Sequence, residues 1–288
     1  MTLALHRLCA ISIATLLSFL AGCANLGAIQ EFGKLSADSA GYTKLTDDYL
    51  AGPSNQKKYT LTSEADKRAE LDRLSKERAK QADQLGLYHK TVESYMKALS
   101  DLAGDQVISY DKELGGLIDA ASGASIIPKD KVDAAKSISE LLAEAATDLY
   151  RQKRLREVIG RANAPLQNVL RDMIQIVKGY DASIENERAA FTDYYRYLVA
   201  TASEEKPKGS GAREPAAAQI ISDAFTQQGP SFDDRGKAVT AYVKTLQAIA
   251  DAHQSLYDNR DKLSDDSVQV IVKSYSTQIY KAYKTVRK

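Results

Sequence analysis

The sequence has 288 residues, a formal net charge of +1 from 39 basic and 38 acidic residues, and two cysteines, Cys9 and Cys23. The balanced charge argues against a nucleic-acid-binding protein, because such proteins carry an excess of basic residues. The length suffices for one large or two modest hydrophobic cores, and two cysteines exclude a framework of several disulfides.

The first segment, residues 1–22, has the features of a secretory signal. His6 and Arg7 give it a short positive start, and residues 8–20 form an apolar run that is too short to span a bilayer. The segment leads into a four-residue motif that consists of Leu20, Ala21, Gly22 and Cys23.

This motif resembles the lipobox of bacterial lipoproteins, and the resemblance covers residues 1–24. In that family a diacylglyceryl group is added to the cysteine thiol, and the signal is cleaved just before it. The resemblance therefore implies a mature chain that begins at Cys23 and is held by two or three acyl chains, which anchor more firmly than one. Cys9 is lost with the signal, so the mature chain is left without a disulfide.

The residue after the lipobox cysteine indicates which membrane holds the protein. Ala24 stands where an aspartate would resemble the inner-membrane retention signal of enteric-type bacteria. The resemblance thus implies outer-membrane anchoring with the domain facing the periplasm, and inner-membrane anchoring or surface exposure are the alternatives. The implied partners are the membrane, through the acyl chains, and an envelope protein or peptidoglycan.

Apolar residues recur every three or four positions through the first half of the mature chain, which indicates amphipathic helices. Glycine and proline are used to place the ends of these helices. The predicted helices cover 25–50, which ends at Gly52-Pro53, then 63–103, a disturbed 106–121, and 130–159, which ends at Gly160.

The clearest pattern lies in residues 164–203, where apolar positions alternate steps of four and three. Only Glu187 interrupts the apolar series. The pattern predicts one continuous, coiled-coil-like helix, which would be roughly 60 Å long at 1.5 Å per residue. Asn163 fits as its N-cap and Pro165 as part of its first turn.

Residues 204–215 are polar and rich in glycine and proline, which predicts a flexible loop. Helices are predicted over 216–227, 233–259 and 265–287, packing on the same bundle as residues 23–203. All six prolines fall at predicted joints or first turns, and sustained period-two alternation is missing. The sequence therefore predicts an all-α fold, an elongated bundle of about six to eight helices, several of them long.

A possible internal duplication relates residues 90–111 to residues 237–258. The two stretches share eight identities in 22 positions at a constant offset of 147. Any two amphipathic helices share apolar spacing, but that does not account for the coincident tyrosines and lysines. The duplication is a hypothesis that leaves the topology open.

Familiar catalytic and cofactor-binding motifs are absent from the sequence. The chain contains no Gly-x-Ser-x-Gly, no phosphate-binding glycine pattern, no Cys-x-x-Cys-His and no Glu-x-x-His. We therefore predict no enzyme activity, no metal site and no cofactor, and a binding or scaffolding role in the envelope. One alternative is a haem or metal carrier that uses His89, His253, Met96 or Met173, and another is an envelope hydrolase that uses clustered acids.

Two sets of residues are candidates for contacts outside the chain. Tyr194, Tyr195 and Tyr197 cannot all point the same way on one helix, so at least one is predicted to be exposed on a contact surface. The final Arg287-Lys288 is similar to the end of Braun-type lipoproteins, in which the last lysine is joined to peptidoglycan. That resemblance implies Lys288 as an attachment point, and complementation of a helix dipole explains the two cations equally well.

Overall fold

A computed structural model of the chain describes residues 26–104, 129–145, 151–203 and 215–287, with a few isolated positions between 115 and 122. The regular structure within these residues is helical, which confirms the all-α bundle. In chain order the helices are α1 (Gly27–Ala40), α2 (Lys44–Lys58), α3 (Ala65–Ala103), α4 (Lys129–Ala145), α5 (Arg151–Lys178), α6 (Tyr180–Ser203), α7 (Pro215–Gln228), α8 (Pro230–Asp258) and α9 (Asp266–Val286).

Three pairs of helices form long rods with one short break each. The breaks are residues 41–43 between α1 and α2, Gly179 between α5 and α6, and Gly229 between α7 and α8. With each pair counted as one rod, the described residues form six helical segments, within the predicted number. None of the described helices has an apolar stretch long enough to cross a membrane.

The rods run side by side around one core. The α3 helix has 39 residues, which corresponds to roughly 58 Å, and it runs antiparallel to the α1–α2 rod. The α5–α6 rod and α8 complete the centre, and α9 packs outside on α1 and α8. The largest fully buried side chains at this centre include Tyr88, Tyr95, Tyr180 and Tyr242.

The helices α1 and α3 approach closely at Gly33. A Cβ atom at this position would lie 2.7 Å from both the carbonyl oxygen of Met96 and the amide nitrogen of Ser100. Contacts that short with backbone atoms cannot be relieved by a rotamer change. Glycine thus sets the spacing of the two helices here.

The predicted helix end at Gly52-Pro53 is wrong, because α2 continues to Lys58. Pro53 lacks the N–H that would bond the carbonyl of Tyr49 in a regular helix. The guanidinium of Arg78 donates to that carbonyl instead, and Arg78 also donates to Ser183 Oγ at 2.8 Å. A Cβ at position 52 would lie 2.5 Å from the same guanidinium, so Gly52 leaves room for it.

The predicted boundaries around Gly160 and Pro165 are also wrong. The α5 helix passes through both residues, and the helix predicted over 164–203 is divided at Gly179. Burial explains the continuity of α5, since its inward face is apolar on both sides of these residues and packs against α3, α4 and α8. That face consists of Leu155, Val158, Ile159, Ala162, Leu166 and Val169.

Candidate functional site

An aromatic cluster lies where the end of α2 meets α6, α7 and α8. Phe191 occupies its centre and is buried, with its ring centroid 4.6 to 5.4 Å from those of four other rings. These separations are typical of aromatic pairs that stabilise a fold through ring contacts. The four surrounding rings belong to Tyr59, Tyr195, Phe225 and Phe232.

The three tyrosines singled out in the sequence separate into two groups. Tyr194 and Tyr195 are half-buried against the cluster, with ring centroids 5.7 Å apart. Tyr197 points outward and is 50% exposed. One of the three is therefore exposed, as the helical spacing requires, and Tyr195 contributes to the pocket described next.

A surface pocket of about 340 Å³ opens beside this cluster, between α6 and α7. Its apolar walls come from Tyr195, Val199 and Phe225, and Arg196 stands at its rim. Phe225 remains 37% exposed, and Ile220 on the same helix is 69% exposed. Large apolar groups left in contact with water next to a pocket mark a candidate binding surface. The remaining lining residues are Thr192 and Ser222.

An ion pair between Glu187 and Arg235 lies next to the aromatic cluster. Glu187 is only 5% exposed, and its Oε2 accepts a hydrogen bond from the Arg235 guanidinium at 3.0 Å. Arg235 also lies 5.7 Å from the Phe232 ring centroid. Burial raises the pKa of the neighbouring Tyr59 hydroxyl, and the Glu187 carboxylate raises it further. Glu187 thus interrupts the apolar stripe because it joins α6 to the start of α8.

The pocket residues on α7 were missed in the sequence. The signal was present, because Ile220 and Ile221 are adjacent and adjacent helical residues point about 100° apart. The two side chains could therefore not both face the core. The structure leaves Ile220 exposed and half-buries Ile221.

His89 forms hydrogen bonds to both sides of the break between α1 and α2. Its Nδ1–H donates to the carbonyl of Ala40 at 2.7 Å, and its Nε2 accepts from the Thr46 hydroxyl at 2.8 Å. Thr46 in turn accepts a hydrogen bond from Tyr180, at 2.9 Å. Burial lowers the pKa of His89 and raises that of Tyr180 to about 12, so both groups are neutral at pH 7. The chain of bonds supplies a partner for the carbonyl that ends α1.

His253 joins three helices in the same way. Its Nε2 accepts from the Tyr95 hydroxyl at 2.6 Å, and its Nδ1–H donates to Asn163 Oδ1 at 2.9 Å. The amide of Asn163 then donates to Gln254 at 2.9 Å. Burial lowers the pKa of His253 to about 3, which keeps the imidazole neutral. Asn163 therefore lies inside α5 and links it to α8, so the prediction that Asn163 is an N-cap is wrong.

The haem or metal carrier alternative meets an obstacle in this geometry. Both ring nitrogens of His89 and of His253 are engaged by protein groups, so a metal or haem iron would have to displace a hydrogen bond. Met96 and Met173 are buried in the core. Across the described ranges, no three histidine, cysteine or acidic side chains come together as a metal site. Of the acidic pairs Asp47-Asp48, Asp233-Asp234 and Asp265-Asp266, one member each lies in the first turn of a helix, namely Asp47, Asp233 and Asp266.

The internal similarity has one structural counterpart. Tyr95 and its match Tyr242 are both fully buried, and each hydroxyl points at a histidine of the other helix. Tyr95 lies 2.6 Å from His253, and Tyr242 lies 3.4 Å from His89 Nδ1. The two histidines do not correspond under the offset of 147, so the duplication stays a prediction.

Several predicted sites lie outside the described residues. They include Cys23 with the preceding Leu20, Ala21 and Gly22, the terminal Lys288, and residues 204–214 of the predicted loop. Leu26, the first described residue, packs into the core at the beginning of α1. Two residues, Ala24 and Asn25, stand between it and Cys23 in the sequence.

No family model, no curated protein and no solved structure matches this chain.

Proposed function

We propose that the protein is a lipid-anchored component of the bacterial envelope, held in the outer membrane by acylated Cys23 and facing the periplasm. Its role is to bind or scaffold a partner without catalysis. The observation that carries the binding role is the aromatic pocket between α6 and α7, with Phe225 and Ile220 exposed beside it. Exposed apolar groups that are contiguous with a pocket mark interaction sites more often than apolar groups scattered singly over a surface.

The position of the pocket supports this role. Gln30 lies against Gly104 at one end of α3, and Thr60 accepts from Arg68 near the other end. The rise of α3 between these contacts is roughly 54 Å. The pocket, beside Tyr59, is thus far from the end of the bundle at which the proposed anchor enters. An anchored protein of this shape would present the pocket to partners at a distance from its acyl chains.

The buried histidines support a role without catalysis. Each is neutral and joins neighbouring helices through both nitrogens, as groups that stabilise a fold do. Neither lines the pocket between α6 and α7. The pocket offers apolar and hydroxyl contacts and one cationic rim, which suits recognition of an envelope protein or of peptidoglycan.

The anchor is tested by metabolic labelling with a radioactive fatty acid. We expect label on the wild-type chain, an N-terminus at Cys23 carrying two or three acyl chains, and recovery with outer membranes. Cys23→Ala should remove the label. An unlabelled wild-type protein that is cleaved at another position would refute the anchor.

The pocket is tested by crosslinking in cells. A photoreactive residue at position 196, on the pocket rim, should capture a partner that a probe at the exposed position 185 does not. Val199→Arg, which places a charge in the pocket, should abolish the capture, whereas Ala200→Arg on the exposed neighbouring position should leave it intact. Recovery of muropeptides in place of a protein would identify peptidoglycan as the partner. Equal capture at positions 196 and 185 would count against the pocket.

A further inference from the structure

The charge of the last helix departs from that of the rest of the chain. Beyond Asp266 the sequence contains no acidic residue but has five basic ones, although the whole chain is nearly neutral. Three of the five are exposed on the solvent face of α9, and none of these three has an ion-pair partner in the described part of the chain. These three are Lys273, Lys281 and Lys284.

Exposed apolar side chains lie on the same helix. Val270 is 68% exposed, Tyr280 is 58% exposed and Ile271 is 41% exposed. The core occupies the opposite face of α9, so Val270 points away from the buried residues, and Ile271 and Tyr280 flank them. A helix whose outer face combines lysines with apolar and tyrosine side chains is typical of a surface that meets lipid headgroups.

The neighbouring helix extends this basic surface. A groove of about 720 Å³ between α8 and α9 is lined by Lys237 and Lys244 from α8 and by Lys281 from α9. Asp251 is the acidic residue in its lining. On the other flank of α9, a smaller groove against α1 mixes Lys34 with acidic residues. The groove on the α8 side of α9 therefore contains more lysines than acidic residues, and in it Lys237 is paired with Asp234 at 3.1 Å.

The beginning of the described chain lies beside this surface. The amide of Ala28 donates to Gln269 Oε1 at 3.1 Å, and Tyr283 donates to the carbonyl of Asp38 at 3.0 Å, so α1 and α9 run parallel along their length. Gln269 directly precedes Val270. Because Cys23 is only three positions before Leu26, acyl chains on it would enter the bilayer close to the N-terminal end of α9, where Val270 is exposed.

We propose that the solvent face of α9 docks on an anionic lipid surface, with Val270 and Ile271 among the headgroups and the lysines against lipid phosphates. This proposal rests on the acylation of Cys23 put forward above and adds an orientation to it. The long axis of the bundle then lies along the bilayer, and the aromatic pocket stays in the periplasm roughly 50 Å from the anchor. Charge complementarity and proximity to the anchor favour lipid over an acidic protein partner.

A fluorescent probe at position 270 tests the docking. The acylated mature chain has no free thiol, so Val270→Cys can be labelled selectively with an environment-sensitive dye. In vesicles of phosphatidylethanolamine and phosphatidylglycerol, we expect a blue shift and a several-fold loss of quenching by acrylamide. Both effects should disappear in phosphatidylcholine vesicles and in about 1 M salt, at which the screening length falls to about 3 Å.

Two controls separate docking from anchoring. A dye at Ser137→Cys on α4, which packs on α3 and α5, should stay accessible in every vesicle. Lys273→Glu, Lys281→Glu and Lys284→Glu together should expose the dye at position 270. The matched triple variant Lys76→Glu, Lys80→Glu and Lys136→Glu changes the net charge equally and should not.

The possible outcomes distinguish a failure of the docking proposal from a failure of the anchor proposal. Equal accessibility at positions 270 and 137 in anionic vesicles, or protection that survives the α9 charge reversal, would overturn the docking. Protection that requires added envelope proteins would replace lipid with an acidic protein partner and would also overturn it. If mass spectrometry finds no acyl chains on the purified protein, the anchor fails, and the same dye in a chain that also carries Cys23→Ala then reports whether α9 binds vesicles unaided.

Discussion

At the scale of single residues, buried polar side chains lie where helices are interrupted. His89 bonds the carbonyl that ends α1, and Arg78 bonds the carbonyl that Pro53 leaves without a helical donor. An unpaired carbonyl at either place would cost about 1 to 3 kcal/mol of stability. These two side chains therefore stabilise the rods at their irregular points.

The neutral histidines make stability depend on pH. Burial lowers the pKa of His253 to about 3 and also lowers that of His89, whereas an unfolded histidine titrates near 6.5. The unfolded state therefore binds more protons below about pH 6.5, and the free energy of unfolding falls as the pH drops. Between about pH 7 and pH 5.5 we expect His253 alone to contribute a loss of about 1 kcal/mol, measured by urea unfolding.

His253→Gln provides the matched comparison. This variant will be less stable at every pH, but its change in unfolding free energy between the two pH values should be smaller by about 1 kcal/mol. The remaining change includes the contribution of His89, the other histidine after Cys23. A pH dependence identical to that of the wild type would show that His253 does not titrate as its burial requires.

At the scale of elements, α2 depends on a side chain from α3 for its continuity. Arg78→Met should cost about 1 to 3 kcal/mol, because the Tyr49 carbonyl loses its donor. In a Pro53→Ala background the helix regains its own N–H, so the same substitution should cost less. Urea unfolding of the four proteins in this double-mutant cycle gives the coupling.

Arg73→Met is the control for that cycle. Arg73 is on the exposed side of α3 and pairs, among the described residues, with the exposed Glu70 and Glu77; such pairs contribute little to stability because water screens the charges. Its cost should be small and independent of the residue at position 53. Equal costs of Arg78→Met with proline and with alanine at position 53 would contradict the assigned role of Arg78.

The sequence predicted which segments are helical better than where the helices end. Apolar periodicity identified α3, α7, α8 and α9 to within a few residues, since an inward stripe is a local property. Gly160 and Pro165 were misleading because packing on both sides of α5 outweighs their helix-breaking tendency. The continuation past Pro53 depends on Arg78, whose distance in sequence hides the contact.

The candidate site was predictable only in part, for a similar reason. Three adjacent tyrosines indicated an exposed ring on α6, and Tyr197 supplies it. The pocket itself needs Phe225 from α7 against Tyr195 from α6, a pairing across a loop that periodicity does not specify. The basic face of α9 is visible in the sequence as a run without acids, but its exposure required the packing of α9 on α1 and α8.

At the scale of the whole molecule, the buried apolar residues form one continuous cluster that reaches from Leu26 to Val286. The α8 helix contacts α5, α6 and α9, and the bond between Tyr95 and His253 joins it to α3. The helices after residue 215 therefore complete the core formed by those before residue 203. The predicted loop between them is a boundary in the sequence, and the described helices on its two sides share one core.

This arrangement predicts that the protein unfolds in a single transition. Far-ultraviolet circular dichroism, which reports helices, and tyrosine fluorescence, which reports packing, should give coincident urea curves for the full mature chain.

A fragment of residues 26–203 should show no cooperative transition, because it loses the buried side chains of α8. Val239, Tyr242, Leu246 and Ile249 are each at most 1% exposed, and burial of four such side chains stabilises by roughly 8 kcal/mol. That amount is comparable to the entire stability of a typical domain, about 5 to 15 kcal/mol. Two separated transitions, or a fragment that melts sharply, would instead divide the chain into independent folding units at the loop.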